Sequence, residues 1–232
     1  MITTENLSFS YTDKSVLKNI NLKVPKGSIY GYLGKNGSGK STTIKILLGL
    51  LRAQSGSIRY DGHPFTANTL YRIGNLIESP SFYSHLTAYE NLKYLDIVFH
   101  RGEDRITEVL SLVDLNGARD KKAKKFSSGM KQRLGIALAL FHNPDILILD
   151  EPLNGLDPEG IHDMRKLIVR LHNEGKTILL SSHILSEIEK VCTHIGILDD
   201  GLLIYQGSIH SLKTDELDLE SVFLTLTSHQ TK

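Results

Sequence analysis

This sequence of 232 residues contains a single cysteine and has almost no net charge. Its one cysteine, Cys192, excludes an intramolecular disulfide and a cysteine-based metal cluster, and it favours a reducing cytoplasm. Lys and Arg number 27 against 26 Asp and Glu, which leaves a net charge of only +1. This balance removes the broad basic surface of a dedicated nucleic-acid-binding protein, and we therefore expect no nucleic-acid partner.

Long apolar runs are also missing. The stretch at 44–51 is interrupted by Lys45 and Gly49, so we expect no membrane-spanning segment. The first residues lack the charged, apolar and small-residue regions of a secretory signal. With 40% hydrophobic and 23% charged residues, the composition is that of an ordinary globular protein. If the protein serves a membrane process, we expect it to act through a partner.

Strand and helix signals alternate along most of the chain. Apolar residues alternate at 20–24, and the apolar run at 29–33 leads into a glycine-rich turn and a predicted helix over 41–51. Helical signals dominate from 80 to 143, beginning with a Thr87–Glu90 capping box that starts a predicted helix with the apolar residues Leu92, Leu95 and Val98. This order predicts a mostly parallel sheet flanked by helices, with antiparallel strands near the ends and a helical subdomain in the middle. Further strands are predicted at 56–60, 73–77, 146–149 and 177–180, a hairpin at 195–205 about Asp200-Gly201, and helices from Pro158 and from Leu219.

A phosphate-binding motif occupies the glycine-rich turn. Residues 34–41, GKNGSGKS, fit the pattern G-x-x-x-x-G-K-[ST] between an apolar strand and a helix, the context that this motif requires. Glycines let backbone N–H groups turn inward around phosphate oxygens, and the helix N-terminus adds a partial positive charge. Lys40 is predicted to reach the β- and γ-phosphates and Ser41 to ligate Mg²⁺. The alternative is a glycine-rich turn that matches the pattern by chance.

Two acidic residues stand at the carboxyl end of the predicted strand at 146–149, where ligands of parallel sheets bind. Asp150 is the candidate Mg²⁺ ligand. Glu151 is the candidate base or orienting group for the water that attacks the γ-phosphate, a role worth about 10²–10⁴-fold in rate. The alternative, an acidic turn that caps the next helix, fits Asp157 before Pro158 better, and Asp157 can have both roles.

The block FSSGMKQR at 126–133 resembles the signature sequence of ATP-binding-cassette (ABC) ATPases and stands just before the acidic strand, as in that family. The resemblance extends over essentially the whole chain. It implies an α/β fold of the P-loop NTPase class, with a RecA-like core, an antiparallel β subdomain and an inserted α-helical subdomain. It further implies one ATP-binding domain over 1–232, with the core at about 1–78 and 144–232 and the helical subdomain at about 79–143.

The resemblance also implies a site shared between two subunits. In this family the signature serine and glycine, here Ser127 and Gly129, open a helix that points at the γ-phosphate of ATP held by the other subunit, which implies a homodimer or heterodimer. Without the resemblance, Ser127 is equally well interpreted as a helix cap. Residues 154–157 resemble the D-loop of the family's dimer interface. The implied nucleotide contacts are Tyr11, Gly34, Asn36, Gly37, Ser38, Gly39, Lys40, Ser41, Thr42, Ser127 and Gly129, and the implied catalytic residues are Glu151, His183 and Lys40.

The roles of Tyr11 and His183 are implied by the resemblance, and for His183 the position after an apolar strand adds support. Tyr11 matches the aromatic residue that stacks on adenine, although a tyrosine on an edge strand is the ordinary interpretation. His183, in the sequence SSH, matches the switch histidine that holds the γ-phosphate and the attacking water. A single histidine is more often a structural residue.

Two motifs depart from the family pattern. Glu78 stands where most members have glutamine, and its carboxylate is predicted to strengthen metal ligation by Ser41 and Asp150. In the signature, Ser128 and Met130 replace the usual glycine and glutamine. The glutamate and the signature block resemble those of ATPases from bacitracin- and lantibiotic-resistance transporters.

The resemblance predicts an ATP-hydrolysing subunit of an ABC transporter that uses ATP and Mg²⁺. It implies separate integral-membrane permease subunits, contacted at the cytoplasmic face of the membrane through a groove near Glu78, Phe82 and Tyr83. The favoured process is export of antimicrobial peptides or similar amphiphiles. The alternative is a soluble ABC ATPase acting on DNA or ribosomes, which generally has two cassettes or a long coiled-coil insertion. A GTPase or small-molecule kinase is a third class, disfavoured by the signature block and by the missing Asn-Lys-x-Asp motif.

Overall fold

A computed structural model describes residues 1–212 and 218–228, in which strands and helices group into two compact units. The first unit contains Met1–Thr69 and the described residues from Thr177 onward, and the second contains Leu70–Lys176. The strands are β1 (Ile2–Tyr11), β2 (Lys14–Ile20), β3 (Lys23–Val24), β4 (Ile29–Leu33), β5 (Ser55–Tyr60), β6 (His63–Pro64), β7 (Ile73–Leu76), β8 (Ile146–Asp150), β9 (Thr177–Ser182), β10 (His194–Asp199) and β11 (Leu202–Ser208). The helices are α1 (Lys40–Leu47), α2 (Ala88–Phe99), α3 (Glu103–Leu112), α4 (Ser128–Leu140), α5 (Pro158–Asn173), α6 (Leu185–Ile188) and α7 (Leu219–Ser228).

The first unit contains two sheets. One is antiparallel, in the order β2-β1-β5-β6, with β3 paired to β1. In the other, β4 lies between β10 and β9 and runs parallel to both, and β11 is antiparallel to β10. Every residue of β4 is buried, as its continuous apolar run predicts for a strand covered on both faces. The sequence prediction of parallel strands with antiparallel strands near the chain ends is therefore confirmed for this unit.

Two Asp-Gly turns close hairpins in the first unit. Asp200 and Gly201, with φ angles of 42° and 75°, connect β10 to β11, and Asp61 and Gly62, with 50° and 79°, connect β5 to β6. Positive φ at both central residues is the property of type I′ turns, whose twist matches that of paired strands. The predicted hairpin about Asp200-Gly201 is thus confirmed.

In the second unit, β7 and β8 form a parallel pair, and α4 packs very closely on β7. A Cβ atom at Gly74 of β7 would lie 2.2 Å from the carbonyl oxygen of Ala139 in α4. A Cβ atom at Gly135 would lie 2.8 Å from both Leu76 and Pro80. The two glycines therefore allow the helix backbone to approach the strand more closely than any side chain would permit.

Helix ends follow local sequence signals. Thr87 and Glu90 form both hydrogen bonds of the predicted capping box at the start of α2. Asp157 caps α5 and Pro158 occupies its first turn. Gly175 follows the end of α5 with a φ of 90°, the left-handed conformation typical of a helix terminator. Between 80 and 143 the chain forms α2, α3, the whole of α4 and short turns, as the helical signals predict.

Three local expectations are wrong in detail. The helix predicted over 41–51 ends at Leu47, because Gly49 adopts a left-handed φ of 70°. The alternating residues at 20–24 belong to two strands, β2 and β3, rather than one. On α2, the apolar residue Val98 is 65% exposed instead of facing the core. The predicted division into a core and a helical subdomain at 79–143 stays a prediction.

Candidate active site

The phosphate loop runs from the end of β4 to the start of α1, so a buried strand precedes it and a helix N-terminus closes it. Gly37 and Gly39 have left-handed φ angles of 82° and 111°, a conformation that glycine adopts without steric cost. Gly34 is required for another reason: a Cβ atom there would lie 2.4 Å from both the Leu198 carbonyl oxygen and Ser38 Oγ. The loop therefore depends on glycine at all three positions.

The side chain of Lys40 is folded into this loop. Lys40 is only 6% exposed, and its Nζ donates hydrogen bonds to the carbonyl oxygens of Gly34 at 2.7 Å and Lys35 at 3.3 Å. Ser38 is 5% exposed, and among the described residues its Oγ has no hydrogen-bond partner. A buried ammonium group and a buried hydroxyl that lacks a partner both favour an anion with several acceptor oxygens. The loop thus has the chemistry of a phosphate site.

The remaining predicted loop residues are accessible. Asn36 and Gly37 are exposed, and Ser41 and Thr42, in the first turn of α1, are half-buried. Gly39 precedes α1 without a side-chain cap, so no capping side chain occupies the N–H groups of the first turn. This geometry favours an anionic ligand at the N-terminus of α1.

His183 leaves the sheet at the same edge as the phosphate loop. The parallel neighbours β4 and β9 place Leu33 opposite Ser182, so Gly34 and His183 each follow the same register pair. Ser182 Oγ accepts a hydrogen bond of 3.0 Å from the Ile184 N–H, which fixes the turn, and His183 is exposed. The structure therefore brings these two predicted elements to adjacent strand ends.

Tyr11 lies at the end of β1, on the antiparallel sheet, opposite Lys14 of β2. Its side chain is 48% exposed, and its ring meets the ring of Phe9 edge-on, with centroids 4.7 Å apart. The contact with Phe9 holds an aromatic ring at the surface, which is the arrangement that stacking on a base requires.

The acidic residues of the second unit lie at the carboxyl ends of β7 and β8. Asp150, the last residue of β8, is 2% exposed. Glu151 follows with a left-handed φ of 51° and is half-buried. Glu78, beyond the end of β7, has a left-handed φ of 58° and is exposed. The structure thus brings all three predicted carboxylates to one end of the strand pair.

The signature block forms the N-terminus of α4. Ser127 caps the helix, and its Oγ accepts a hydrogen bond of 3.3 Å from the Met130 N–H, as the helix-cap interpretation predicts. A Cβ atom at Gly129 would have its nearest neighbour 4.0 Å away, so this helix end is open. The capped N-terminus of α5, where Asp157 accepts from the Gly160 N–H at 2.9 Å, lines the same pocket of about 200 Å³.

Arg133 is the last residue of the signature block, and its sequence context predicts no role for it. Its guanidinium, 17% exposed, lies 2.8 Å from carboxylate oxygens of both Asp114 and Asp163, and donates to the Val113 carbonyl oxygen at 3.1 Å. Arg133 therefore joins the end of α3 and the body of α5 to the signature helix. The charge of the residue is a sequence signal, but its partners are distant along the chain and no local pattern identifies them.

A groove of about 330 Å³ lies in the second unit close to the predicted permease contact. Next along the chain, Tyr83 is 46% exposed, and its ring lies 5.0 Å from that of Tyr94. On the same helix, Ile97 and Val98 are 66% and 65% exposed. This concentration of exposed apolar side chains is typical of an interaction surface. The groove is lined by Asn75, Leu76, Ile77, Ser79, Ser81, Leu95, Phe99, Gly135, Leu138, Ala139 and His142.

His142 forms part of the groove wall. Its ring stacks on that of Phe99 at a centroid distance of 5.0 Å, and its Nε2 lies 3.1 Å from the Ile73 carbonyl oxygen. Burial lowers the pKa of His142 below its ordinary value, and the nearby Arg101 and Arg105 act in the same direction.

Within residues 1–212 and 218–228, no helix combines the length and apolar character needed to cross a bilayer. The same ranges contain no cluster of three or more His, Cys, Asp or Glu side chains able to hold a metal ion.

Comparison with known proteins identifies the fold and the family. The sequence profile of the ABC transporter family matches residues 17–154. The lantibiotic transport ATP-binding protein SrtF of Streptococcus pyogenes is 44% identical over 212 residues, which cover 90% of this chain and 93% of SrtF. The bacitracin transport ATP-binding protein BcrA of Bacillus licheniformis is 48% identical over 218 residues, which cover 92% of this chain and 71% of BcrA. A solved ATP-binding cassette, dimeric and in a post-hydrolysis state with bound ADP and Pi, matches with a TM-score of 0.79 at 26% identity, over 90% of this chain and 99% of its own.

The chain therefore belongs to the ABC transporter family, as one of its ATP-hydrolysing cassettes. The predicted family, the P-loop NTPase fold and the ATPase activity are confirmed. So is the resemblance to the bacitracin and lantibiotic type, since relatives with those names are 44–48% identical.

Proposed function

We propose that this protein hydrolyses ATP at the phosphate loop and thereby drives export through separate membrane permeases. The observation that carries the proposal is the burial of the Lys40 ammonium group inside a loop that only glycines can form. Among its contacts there, Lys40 donates hydrogen bonds to the backbone carbonyl oxygens of Gly34 and Lys35. A triphosphate would offer this charge several anionic oxygens, and charge-assisted hydrogen bonds are roughly twice as strong as neutral ones.

The loop holds the phosphates by its backbone as well. N–H groups at 34–42 and the N-terminus of α1 would bind the β- and γ-phosphates, and Asn36, Ser38 and Thr42 are further proposed contacts of the nucleotide. Tyr11 stacks on the adenine ring, where burying one face of the base adds about 1–3 kcal/mol. Nucleotide affinity thus comes from two places, the phosphate loop and the Tyr11 strand.

Hydrolysis needs a water molecule in line with the bond between the γ-phosphorus and the β–γ bridging oxygen. Glu151 orients that water and accepts its proton as the new P–O bond forms, and the bridging oxygen leaves with ADP. His183 donates a hydrogen bond to the γ-phosphate and holds the water in place. Lys40 neutralises the charge that develops on the phosphate oxygens.

Mg²⁺ fits the donor chemistry of the chain. Ser41, Asp150 and Glu78 offer oxygen ligands, which this hard cation prefers. Mg²⁺ usually keeps several waters and is held by one or two carboxylates together with phosphate oxygens of the substrate, so a few protein ligands are enough. When bound, it neutralises charge on the β- and γ-phosphates.

Two cassettes complete the reaction. The open, Ser-capped N-terminus of α4 is an anion-binding end that faces solvent, and we propose that Ser127 and Gly129 bind the γ-phosphate of ATP held by a second subunit. The second subunit is another copy of this chain or a related one. ATP binding closes this dimer and hydrolysis opens it.

Motion of the dimer is passed to permeases at the cytoplasmic face of the membrane. We propose that they dock at the groove beside Tyr83, where apolar side chains are exposed. The relatives SrtF and BcrA are named for transport of lantibiotic and bacitracin, so antimicrobial peptides or similar amphiphiles are the proposed substrates. Export would then serve resistance or immunity.

The test begins with the purified chain and ATP turnover in the presence and absence of Mg²⁺. We expect Lys40→Met to lose nucleotide binding and Lys45→Met, on the same helix but half-buried, to keep it. A wild-type chain without Mg²⁺-dependent turnover contradicts the proposal. For the substrate, the chain is purified with the membrane proteins encoded beside its gene, and bacitracin and a lantibiotic are tested for stimulation of turnover. Equal turnover with and without either peptide contradicts the export assignment.

A further inference from the structure

The hairpin turn at Asp200-Gly201 is wedged between strand β2 and the phosphate loop. The Gly201 N–H donates a hydrogen bond of 3.1 Å to the carbonyl oxygen of Ser38 in the loop. On its other side, the Gly201 carbonyl oxygen accepts a hydrogen bond of 2.8 Å from the Lys18 N–H of β2. Gly201 thus connects β2 and the phosphate loop, both of which are far from it along the chain.

Only glycine fits at this position. A Cβ atom on Gly201 would lie 2.3 Å from the Val16 carbonyl oxygen and 2.9 Å from its carbonyl carbon. Both neighbours are backbone atoms, so no side-chain rotation relieves the overlap. The φ of 75° is also a conformation that side chains disfavour.

The phosphate loop also packs closely against β2. A Cβ atom on Gly39 would lie 2.7 Å from Leu17 Cδ2 and 3.1 Å from the Val16 carbonyl oxygen. The Lys18 Nζ and Asp200 Oδ2 atoms, 2.7 Å apart, add an ion pair across the turn. The turn, β2 and the loop therefore form one tightly packed contact, and a displacement of the turn must displace its neighbours.

This contact lies between the two proposed sources of nucleotide affinity. Strand β2 pairs with β1, and its first residue, Lys14, lies opposite Tyr11. Ser38 belongs to the phosphate loop. We propose that Gly201 is a positioning residue, which sets the distance between the Tyr11 strand and the phosphate loop so that adenine and phosphates are bound together. The inference rests on the proposed function, since it assumes that both elements bind one nucleotide.

The chain contains a matched control for this residue. Gly62 occupies the same position of the other Asp-Gly turn, with a φ of 79° against 75° for Gly201. A Cβ atom on Gly62, however, would have no neighbour within 4 Å. Alanine at either position therefore introduces the same backbone strain, but only at Gly201 does it also displace the contact with β2.

The experiment compares ATP binding by Gly201→Ala and Gly62→Ala at 20 °C, using calorimetric titration, with the melting temperature recorded for each. We expect the Kd for ATP to rise at least about tenfold in Gly201→Ala, roughly 1.4 kcal/mol, because the Tyr11 strand and the phosphate loop would no longer fit one nucleotide together. Gly62→Ala should stay within about twofold of the wild type. A lower melting temperature with an unchanged Kd in Gly201→Ala shows a merely structural role and overturns the inference.

Asp200→Gly decides the matter if Gly201→Ala does not fold. This change removes the ion pair with Lys18 and loosens the turn without adding an atom, and its control is Asp61→Gly. We expect the Kd to rise about threefold in Asp200→Gly alone, roughly 0.6 kcal/mol. Equal Kd values for the two variants overturn the inference. If the wild type itself does not bind ATP, the proposed function fails first.

Discussion

Glu78 and Glu151 occupy equivalent places on two neighbouring parallel strands. Each stands two residues beyond the register pair of Leu76 and Leu149, and each adopts a left-handed φ, of 58° and 51°. This conformation costs a non-glycine residue about 1–2 kcal/mol and persists only where the surrounding structure imposes it. Backbone strain of this kind is frequent at functional sites. The roles of the two carboxylates can be separated by substituting each of them in turn.

Glu151→Gln tests the proposed catalytic base. The amide keeps the size of the side chain but cannot accept the proton, so turnover should fall about 10²–10⁴-fold while ATP binding is kept. Because the closed dimer opens after hydrolysis, this variant should accumulate as a dimer in gel filtration with ATP and Mg²⁺. Glu174→Gln, at the far end of α5, is the control and should behave as the wild type. Only monomer in the Glu151→Gln sample contradicts the two-cassette proposal.

Glu78→Gln restores the residue that most of the family has. An amide oxygen still ligates a hard cation, so we expect basal ATP turnover within about an order of magnitude of the wild type. The Mg²⁺ concentration for half-maximal turnover should rise, because one negative charge near the metal is lost. Abolition of nucleotide binding in this variant would show that Glu78 has a different role.

Ser127 can be tested for two functions separately. Ser127→Arg should abolish turnover by a homodimer, because a large side chain fills the open helix end, while ATP binding by the monomer is kept. Ser127→Asp retains a good helix cap but places a negative charge before the γ-phosphate, so it should fold normally and also lose turnover. Ser111→Arg, on exposed α3 surface, is the control. Turnover at the wild-type level in Ser127→Asp would leave the residue with its capping role alone.

Arg133→Met is expected to destabilise the protein. The change leaves the Val113 carbonyl oxygen and two carboxylates without their shared partner, at a cost of about 1–3 kcal/mol in the free energy of unfolding. Arg170, paired with Glu174 at 3.4 Å and 56% exposed, is the control, and Arg170→Met should cost at most about 0.5 kcal/mol. Urea unfolding measures both, and equal losses would argue against the three-helix contact.

The lowered pKa of His142 predicts that the protein loses stability in mild acid. Burial lowers its pKa from the ordinary value of 6.5, so the folded state binds a proton less readily than the unfolded chain. The contribution of His142 to the free energy of unfolding is therefore fully present above pH 6.5 and is lost as the pH falls below that value. His142→Gln should reduce the difference in stability between pH 7.5 and pH 5.5, measured by urea unfolding, whereas His63→Gln, at an exposed site, should not. A pH dependence that is the same in all three proteins contradicts the prediction.

The sequence was most informative where a structure depends on neighbouring residues. The phosphate loop follows from glycines between a strand and a helix, and the cap at Thr87 follows from two residues three positions apart. The Asp200-Gly201 hairpin is equally local. Each of these elements has the predicted geometry, and the family follows from the signature block, whereas the roles of individual site residues stay predictions.

Contacts between distant segments could not be predicted in this way. The partners of Arg133 come from the segment just after α3 and from α5, and they are distant from Arg133 in sequence. The backbone of Gly201 contacts Ser38 and Lys18, which are equally distant from Gly201. The apolar period of α2 suggests a buried face, but Val98 is exposed, because periodicity cannot distinguish a core from an interaction surface. These features depend on tertiary packing, for which a single sequence carries no direct signal.

The close packing of α4 on β7 leaves little room between these two elements of the second unit. The missing side chain at Gly74 lets the strand approach the backbone of Ala139, and the missing side chain at Gly135 makes room for the side chains of Leu76 and Pro80. The strand ends just before Glu78, and the helix continues from Gly135 toward Ser127 for about 12 Å. A larger residue at either glycine would therefore force β7 and α4 apart, although neither position lies at Glu78 or Ser127.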